Sequence, residues 1–178
     1  LGSHEVAALD LSGSGLHPAG AIAIAHAVQQ SSGTLKSLDV RDNEDMGAEA
    51  CELFVDLLAP STTEEGVGAS NGSKPLLSLC GVSAARPTLD LSLAPLRPID
   101  SALLAAEVGA SRMLTALSLR GADVQPAQGL AIADALARNA AGLLTKIDLL
   151  CNPHIGIAAA EAIVEAVRGR QMSLCGDG

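Results

Sequence analysis

The sequence predicts an α/β fold built from repeats in a single domain, with short strands that alternate with helices. A strand pattern of alternating apolar residues returns five times along the chain. Each strand pattern is followed by an alanine-rich stretch with helical spacing. Hydrophobic residues make up 48% of the 178 residues, yet Phe54 is the only aromatic. The core must therefore consist of Ala, Leu, Ile and Val, which suits tight, repetitive packing.

The predicted strands share one apolar spacing. The first reads Val6-x-x-Leu9-x-Leu11, and three others follow it: Leu35-x-x-Leu38-x-Val40, Leu114-x-x-Leu117-x-Leu119 and Leu144-x-x-Ile147-x-Leu149. The remaining strand keeps Leu89 and Leu91 in phase but has Arg86 at the first position. Apolar residues that alternate in this way predict strands with one buried face.

The predicted helices about three turns long also resemble one another. Leu16–Val28 aligns with Val124–Leu136 and with Leu96–Val108, so that Pro18, Pro98 and Pro126 coincide. Proline suits the first turn of a helix, because its missing N–H would have no partner there. In a second pair of aligned segments, Leu35–Leu58 and Leu144–Val167, Asn43 meets Asn152 and Gly47 meets Gly156.

These patterns divide the chain 1–178 into five full repeats, at residues 6–34, 35–58, 86–113, 114–143 and 144–170. Two further segments, 76–81 and 172–176, have a strand pattern without a full helix after it. Residues 59–75 are rich in Gly, Ser and Thr and have no periodicity. They are predicted to form a flexible surface loop.

The repeats resemble leucine-rich repeats of the ribonuclease-inhibitor-like subtype, which join Leu-x-x-Leu-x-Leu to a helix of the form Gly-Ala-x-x-(Ile/Leu)-Ala-x-Ala-Leu. The resemblance implies a leucine-rich-repeat solenoid. Its right-handed βα units form a horseshoe arc, with a parallel sheet on the concave face and helices on the convex face. The family's turn asparagine stands here only at Asn43 and Asn152. Three other residues replace it, so those turns need different hydrogen bonds: Ser14, Ala94 and Ala122.

The tetrapeptide Ser-Leu-Cys-Gly occurs twice, with Cys80 and Cys175 at its third position. In a solenoid the intervening strands would hold these cysteines roughly 19 Å apart, too far for a disulfide. We therefore interpret both stretches as the same strand step, with Cys80 on the concave face or partly under its rim. Cys151 and His154 have the spacing of half a zinc site, but no second pair lies nearby. No metal and no cofactor is predicted.

Polar residues form two columns on the expected concave face. The first holds Asp10, Asp39, Asp90, Ser118 and Asp148, and the second holds Ser12, Arg41, Ser92, Arg120 and Leu150. Such aspartates could simply keep an exposed sheet wet and pair with neighbouring arginines. They could equally form a binding surface, with Arg41, Arg86 and Arg120 as anchors. The candidate protein-binding residues are Asp10, Asp39, Arg41, Asp90, Ser118, Arg120, Lys146 and Asp148.

Composition limits the possible functions. A net charge of −9 argues against a nucleic-acid partner, and no apolar stretch is long enough to span a membrane. Acid–base catalysis is not expected, because an open sheet face offers no enclosed pocket that would raise a carboxyl pKa. The sequence thus predicts a non-enzymatic module for a protein partner, with a basic partner favoured by charge. A cytoplasmic location is the default expectation.

Two alternatives remain open at this stage. Ribonuclease-inhibitor-like repeats also occur in regulatory domains of GTPase-activating and nucleotide-oligomerisation-receptor-type proteins, and a purely structural spacer is a third possibility. Neither end of the sequence shows a polar capping unit, although solenoids expose core residues at uncapped ends. We therefore expect either continuation into further repeats or end-to-end self-association.

Overall fold

The structure, a computed structural model, describes residues 6–31, 34–58, 76–139 and 141–174. The predicted loop 59–75 and Cys175 lie outside these ranges. Within the described ranges, five strands alternate with five helices in chain order: β1 Ala8–Asp10, α1 Pro18–Gln30, β2 Ser37–Asp39, α2 Ala48–Asp56, β3 Thr88–Asp90, α3 Pro98–Ala110, β4 Ala116–Ser118, α4 Pro126–Arg138, β5 Lys146–Asp148 and α5 Ile157–Ala166. A short 3₁₀ turn at Glu44–Met46 precedes α2.

The strands pair in parallel, but they form two separate sheets and not the single sheet that we expected. One sheet contains β1 and β2, and the other contains β3, β4 and β5 in that order. The register places Asp10 opposite Asp39 in the first sheet. In the second, Ser118 lies opposite both Asp90 and Asp148. The aspartate column therefore exists, divided between two sheets.

The segment Leu76–Arg86, here called the helix-less step, separates the two sheets. Its first part lies beside β2, where the Leu38 amide donates to the Ser78 carbonyl at 3.0 Å. At Gly81 the backbone enters the left-handed region (φ 73°). A tight turn follows, in which Ser83 and Arg86 exchange backbone hydrogen bonds of 3.1 and 3.0 Å. The chain thus reaches β3 through a turn, without a helix and without continuing the ladder.

A buried carboxylate holds the helix-less step against α3. The Glu107 side chain is fully buried, and its Oε2 accepts hydrogen bonds from the Ser78 hydroxyl (2.9 Å) and from the amides of Leu79 (2.8 Å) and Cys80 (3.2 Å). The Ser78 hydroxyl oxygen in turn accepts from the Val82 amide at 2.8 Å. Because buried amides without partners are costly, these bonds replace those that a regular ladder would supply.

The second Ser-Leu-Cys-Gly stretch begins in the same way as the first. Ser173 forms a parallel bridge with Lys146 of β5, as Ser78 does with Ser37 of β2. The Ile147 amide donates to the Ser173 carbonyl at 2.8 Å, which matches the bond from Leu38 to Ser78. Ser78 and Ser173 therefore occupy equivalent places, each beside the last strand of its sheet.

The core lies between the strands and the helices. Leu38, Leu117 and Ile147, the central strand residues, are at most 1% exposed, and Phe54 of α2 is fully buried. In β1, by contrast, Leu9 remains 39% exposed. Inward-facing aliphatic residues thus form one contiguous cluster that joins both sheets to the helices.

Asn43 connects the turn after β2 to the preceding repeat. Its Nδ2 donates to the carbonyls of Leu11 (3.0 Å), Val40 (3.0 Å) and Arg41 (3.1 Å), and its Oδ1 accepts from the Leu16 amide at 3.0 Å. The side chain is only 2% exposed. One amide therefore satisfies buried backbone groups in two successive repeats.

Asn152 repeats this arrangement after β5. Its Nδ2 donates to the Leu119 and Leu149 carbonyls at 2.7 and 2.9 Å, and its Oδ1 accepts from the Val124 amide at 3.0 Å. Where alanine replaces the family's asparagine at position 122, a backbone carbonyl accepts the equivalent hydrogen bond. The Ala122 carbonyl accepts from the Leu96 amide at 2.8 Å, which is the role that Asn152 Oδ1 plays for Val124.

The third residue after each strand adopts a left-handed conformation in all five repeats. These residues are Gly13, Asp42, Leu93, Gly121 and Cys151, with φ angles of 61°, 59°, 62°, 63° and 62°. Glycine reaches this region without steric cost, whereas other L-residues pay roughly 1–2 kcal/mol. Leu93 is 81% exposed, so burial of its side chain offsets little of this strain.

Replacing Asn152 with alanine should destabilise the fold by about 1–3 kcal/mol, because buried backbone groups of two repeats lose their partner. The free energy of unfolding, measured in urea, checks this. Ser14→Ala is the control, since its exposed hydroxyl also donates to a turn carbonyl, at 2.7 Å to Leu11. The control should lose less than about 1 kcal/mol. Equal losses in the two variants would contradict the role given to Asn152.

Leu93→Gly should stabilise the protein by up to about 1 kcal/mol. The substitution relieves roughly 1–2 kcal/mol of left-handed strain. The greater unfolded-state entropy of glycine offsets about 0.4–1 kcal/mol of that gain. Leu93→Ala is the matched control, because it removes the exposed side chain and keeps the Cβ atom. Urea denaturation in which both variants gain equally would show that strain is not the cause.

Candidate functional site

A cavity of about 360 Å³ lies on the strand side of the molecule, where the two sheets approach each other. Four of the predicted binding residues line it: Asp10, Asp39, Arg41 and Asp90. The remaining walls come from residues of β1, β2, β3 and the helix-less step: Ala8, Leu9, Ser12, Ser37, Cys80, Gly81, Arg86, Thr88 and Leu89. We call this space the inner-face cavity.

Every aspartate of the column caps its own turn. Its Oδ1 accepts a hydrogen bond from the backbone amide two residues further on. The donors are Ser12 for Asp10 (2.9 Å), Arg41 for Asp39 (3.2 Å), Ser92 for Asp90 (3.0 Å) and Leu150 for Asp148 (3.0 Å). A carboxylate at this position therefore has a local structural reason in each repeat.

Two of these carboxylates are also neutralised by arginine. Arg41 binds Asp39 with both Nε (2.9 Å) and Nη2 (2.6 Å), which raises the pKa of Arg41 further above its usual range. Arg120 reaches across from the neighbouring strand, and its Nε lies 3.0 Å from Asp148 Oδ2. Asp39 and Asp148 thus already have a cationic partner, in line with the interpretation of local pairing.

The other two carboxylates, those of Asp10 and Asp90, are bonded to serine. The Ser12 hydroxyl donates to Asp10 Oδ1 at 2.6 Å, and the Ser92 hydroxyl donates to Asp90 Oδ1 at the same distance. These bonds lower the pKa of both carboxyls, so both are ionised at neutral pH. Neither forms an ion pair with any residue that the structure describes, and both line the inner-face cavity.

Arg86 adds a positive charge to the same cavity. Its charge contributes to lowering the pKa of Asp10, after the Ser12 hydrogen bonds and the charge of Arg41. The residue is exposed. The inner-face cavity therefore offers ionised carboxylates and an arginine on one side of the molecule.

The remaining predicted residues lie outside the cavity, on the three-stranded sheet. Ser118 ends β4, and its hydroxyl lies 2.6 Å from that of Ser92. Lys146 begins β5, Asp148 ends it, and Arg120 follows β4. The structure therefore divides the eight candidates into two groups of four, one that lines the cavity and one that does not.

Cys80 and Gly81 of the helix-less step were missing from the predicted binding residues. Cys80 is only 2% exposed, under the rim of the cavity, and burial followed by the charge of Glu107 raises the pKa of its thiol. A Cβ atom on Gly81 would lie 2.9 Å from Asp39 Oδ2, so only glycine fits there. The sequence does contain a signal for these residues, because 76–81 has a strand pattern that no full helix follows.

Cys151 and His154, the residues of the possible zinc half-site, have separate structural roles. Cys151 occupies the left-handed turn position, and His154 Nδ1 lies 2.7 Å from Asp123 Oδ1. Within the described ranges, no group of three or more His, Cys, Asp or Glu side chains could hold a metal ion. Cys51, Cys80 and Cys151 are free thiols.

Comparison with known families identifies a match in the first part of the chain. A family model described as Leucine Rich repeat matches residues 6–25 and 32–55. The comparisons with curated proteins and with solved structures found no significant match. The repeat match, together with parallel strands that alternate with helices, supports a leucine-rich repeat protein. Among the helices that the structure describes, none is long and apolar enough to cross a membrane.

Proposed function

We propose that this chain is a non-enzymatic interaction module that binds a basic segment of a protein partner at the inner-face cavity. Leucine-rich repeats are generally protein-interaction modules, which supports the broader half of the proposal. The narrower half is supported by one observation, namely that Asp10 and Asp90 line the cavity, bonded to serine and in no direct ion pair with a residue that the structure describes. Lysine or arginine side chains of a partner would complete these ion pairs.

We also propose that the repeats form a right-handed solenoid arc of the ribonuclease-inhibitor-like subtype. The helices α1, α3 and α4 each have 13 residues, which agrees with the three-turn helices of that subtype. Successive helices pack against one another in chain order. In such an arc the inner-face cavity would lie on the concave side, where the whole aspartate column faces a partner.

The pKa values of the carboxyls favour binding over acid–base catalysis. A general acid near neutral pH needs a raised pKa. The pKa values of Asp10 and Asp90 are instead lowered, mainly by the serine hydroxyls, and that of Asp148 is lowered by the Leu150 amide. Carboxylates that stay ionised are suited to holding a cation.

The test is a binding measurement with labelled lysine-rich and glutamate-rich peptides of equal length. The variant Asp10→Asn plus Asp90→Asn keeps an oxygen for the turn amides and removes both charges. Exposed ion pairs contribute about 0.2–1 kcal/mol each, so binding of the basic peptide should weaken roughly 2–30-fold. Fluorescence anisotropy, measured at low and high NaCl concentrations, reports this change.

Asp134→Asn plus Glu161→Gln, which removes two exposed carboxylates on helices, is the matched control and should bind normally. Because the pKa values of Asp10 and Asp90 are lowered from that of an ordinary aspartate, both carboxylates stay charged and the binding should persist in mildly acidic solution. Two results would contradict the proposal. The glutamate-rich peptide could bind as well as the basic one, or the Asp10/Asp90 variant could bind unchanged.

A further inference from the structure

A second, separate cavity lies on the helix side of the molecule, as a groove of about 370 Å³ between α2 and α3. Its floor and walls are mostly apolar. They come from both helices: Ala48, Cys51 and Val55 of α2, and Pro98, Ile99 and Ala102 of α3. This volume is within the range of about 300–1,000 Å³ that is typical of binding pockets.

The groove lies where the helix-less step separates α2 from α3 along the chain. Between α3 and α4 and between α4 and α5, small residues bring the helices together. A Cβ atom on Gly129 of α4 would lie only 2.8 Å from the Ala159 Cβ atom of α5, and one on Gly109 of α3 would lie 3.7 Å from that of Ala135. Between α2 and α3 the additional chain segment 76–86 intervenes on the strand side. The groove is thus a consequence of a repeat without its helix.

The charges on the groove have one sign. Glu52 and Asp56 lie four residues apart on α2, both exposed and both part of the lining. Among the lining residues that the structure describes, none is a lysine, an arginine or a histidine. The thiol of Cys51 stays neutral there, because burial raises its pKa, with a further contribution from the charge of Glu52. The groove thus combines an apolar interior with an acidic rim.

We propose that this groove binds an amphipathic helix of a protein partner. Aliphatic side chains of that helix would enter between α2 and α3, and its lysine or arginine side chains would pair with Glu52 and Asp56. A third helix packs well into the furrow between two others, because its ridges fit their grooves. The acidic rim then selects a basic helix over an acidic one.

The test uses a fluorescein-labelled peptide of Leu, Ala and Lys, about five helical turns long, with leucines on one face and lysines on both flanks. Anisotropy should show saturable binding that weakens with added NaCl. The variant Glu52→Lys plus Asp56→Lys should bind roughly tenfold more weakly or worse. Ala102→Glu, which places a charge against the apolar part of the peptide, should also reduce binding.

The matched control reverses another exposed pair four residues apart, Glu161→Lys plus Glu165→Lys on α5, and should bind as the parent does. Hydrogen exchange should show protection by the peptide at residues 48–56 and 98–104. Three outcomes would overturn the proposal. The parent protein could fail to bind the peptide, a peptide with glutamate in place of lysine could bind equally, or the α5 variant could lose binding while the α2 variant keeps it. The Asp10→Asn plus Asp90→Asn variant should keep the part of the peptide binding that added NaCl does not weaken. This result would distinguish binding in the groove from binding at the inner-face cavity.

Discussion

The carboxylate of Glu107 accepts three hydrogen bonds through Oε2, from the Ser78 hydroxyl and the amides of Leu79 and Cys80. Burial raises its pKa, and these hydrogen bonds oppose the rise. A buried carboxylate is costly. It is tolerated here because the helix-less step would otherwise bury several backbone amides without acceptors.

The two cavities depend on the contact between Glu107 and the helix-less step. On the strand side, the helix-less step ends the first sheet and forms, with Cys80 and Gly81, one wall of the inner-face cavity. On the helix side, the missing helix leaves the groove between α2 and α3 open. The two proposed binding surfaces thus have a common structural origin, although they face opposite sides and involve different side chains.

The repeat pattern predicts much of the fold because each part has a mechanical cause. Alternating leucines give the strands, proline marks the starts of α1, α3 and α4, and the aspartate column follows from the register. The sequence did not predict the division into two sheets. That division depends on Glu107 and Ser78, which are 29 residues apart in the chain. No local pattern reports such a contact.

The candidate site was predicted only in part, for a related reason. The sequence placed the aspartates in one column, but it could not show which of them would be neutralised by arginine. Arg41 pairs within its own repeat, whereas Arg120 pairs across to the next.

Hydrogen exchange at the amides of Leu79 and Cys80 tests the contact between Glu107 and the helix-less step most directly. Glu107→Ala should accelerate exchange there roughly tenfold or more relative to β4 and β5, and Glu107→Gln, which keeps an acceptor oxygen, should restore part of the protection. Unchanged exchange at these two amides in Glu107→Ala, measured where the variant remains folded, would contradict the account.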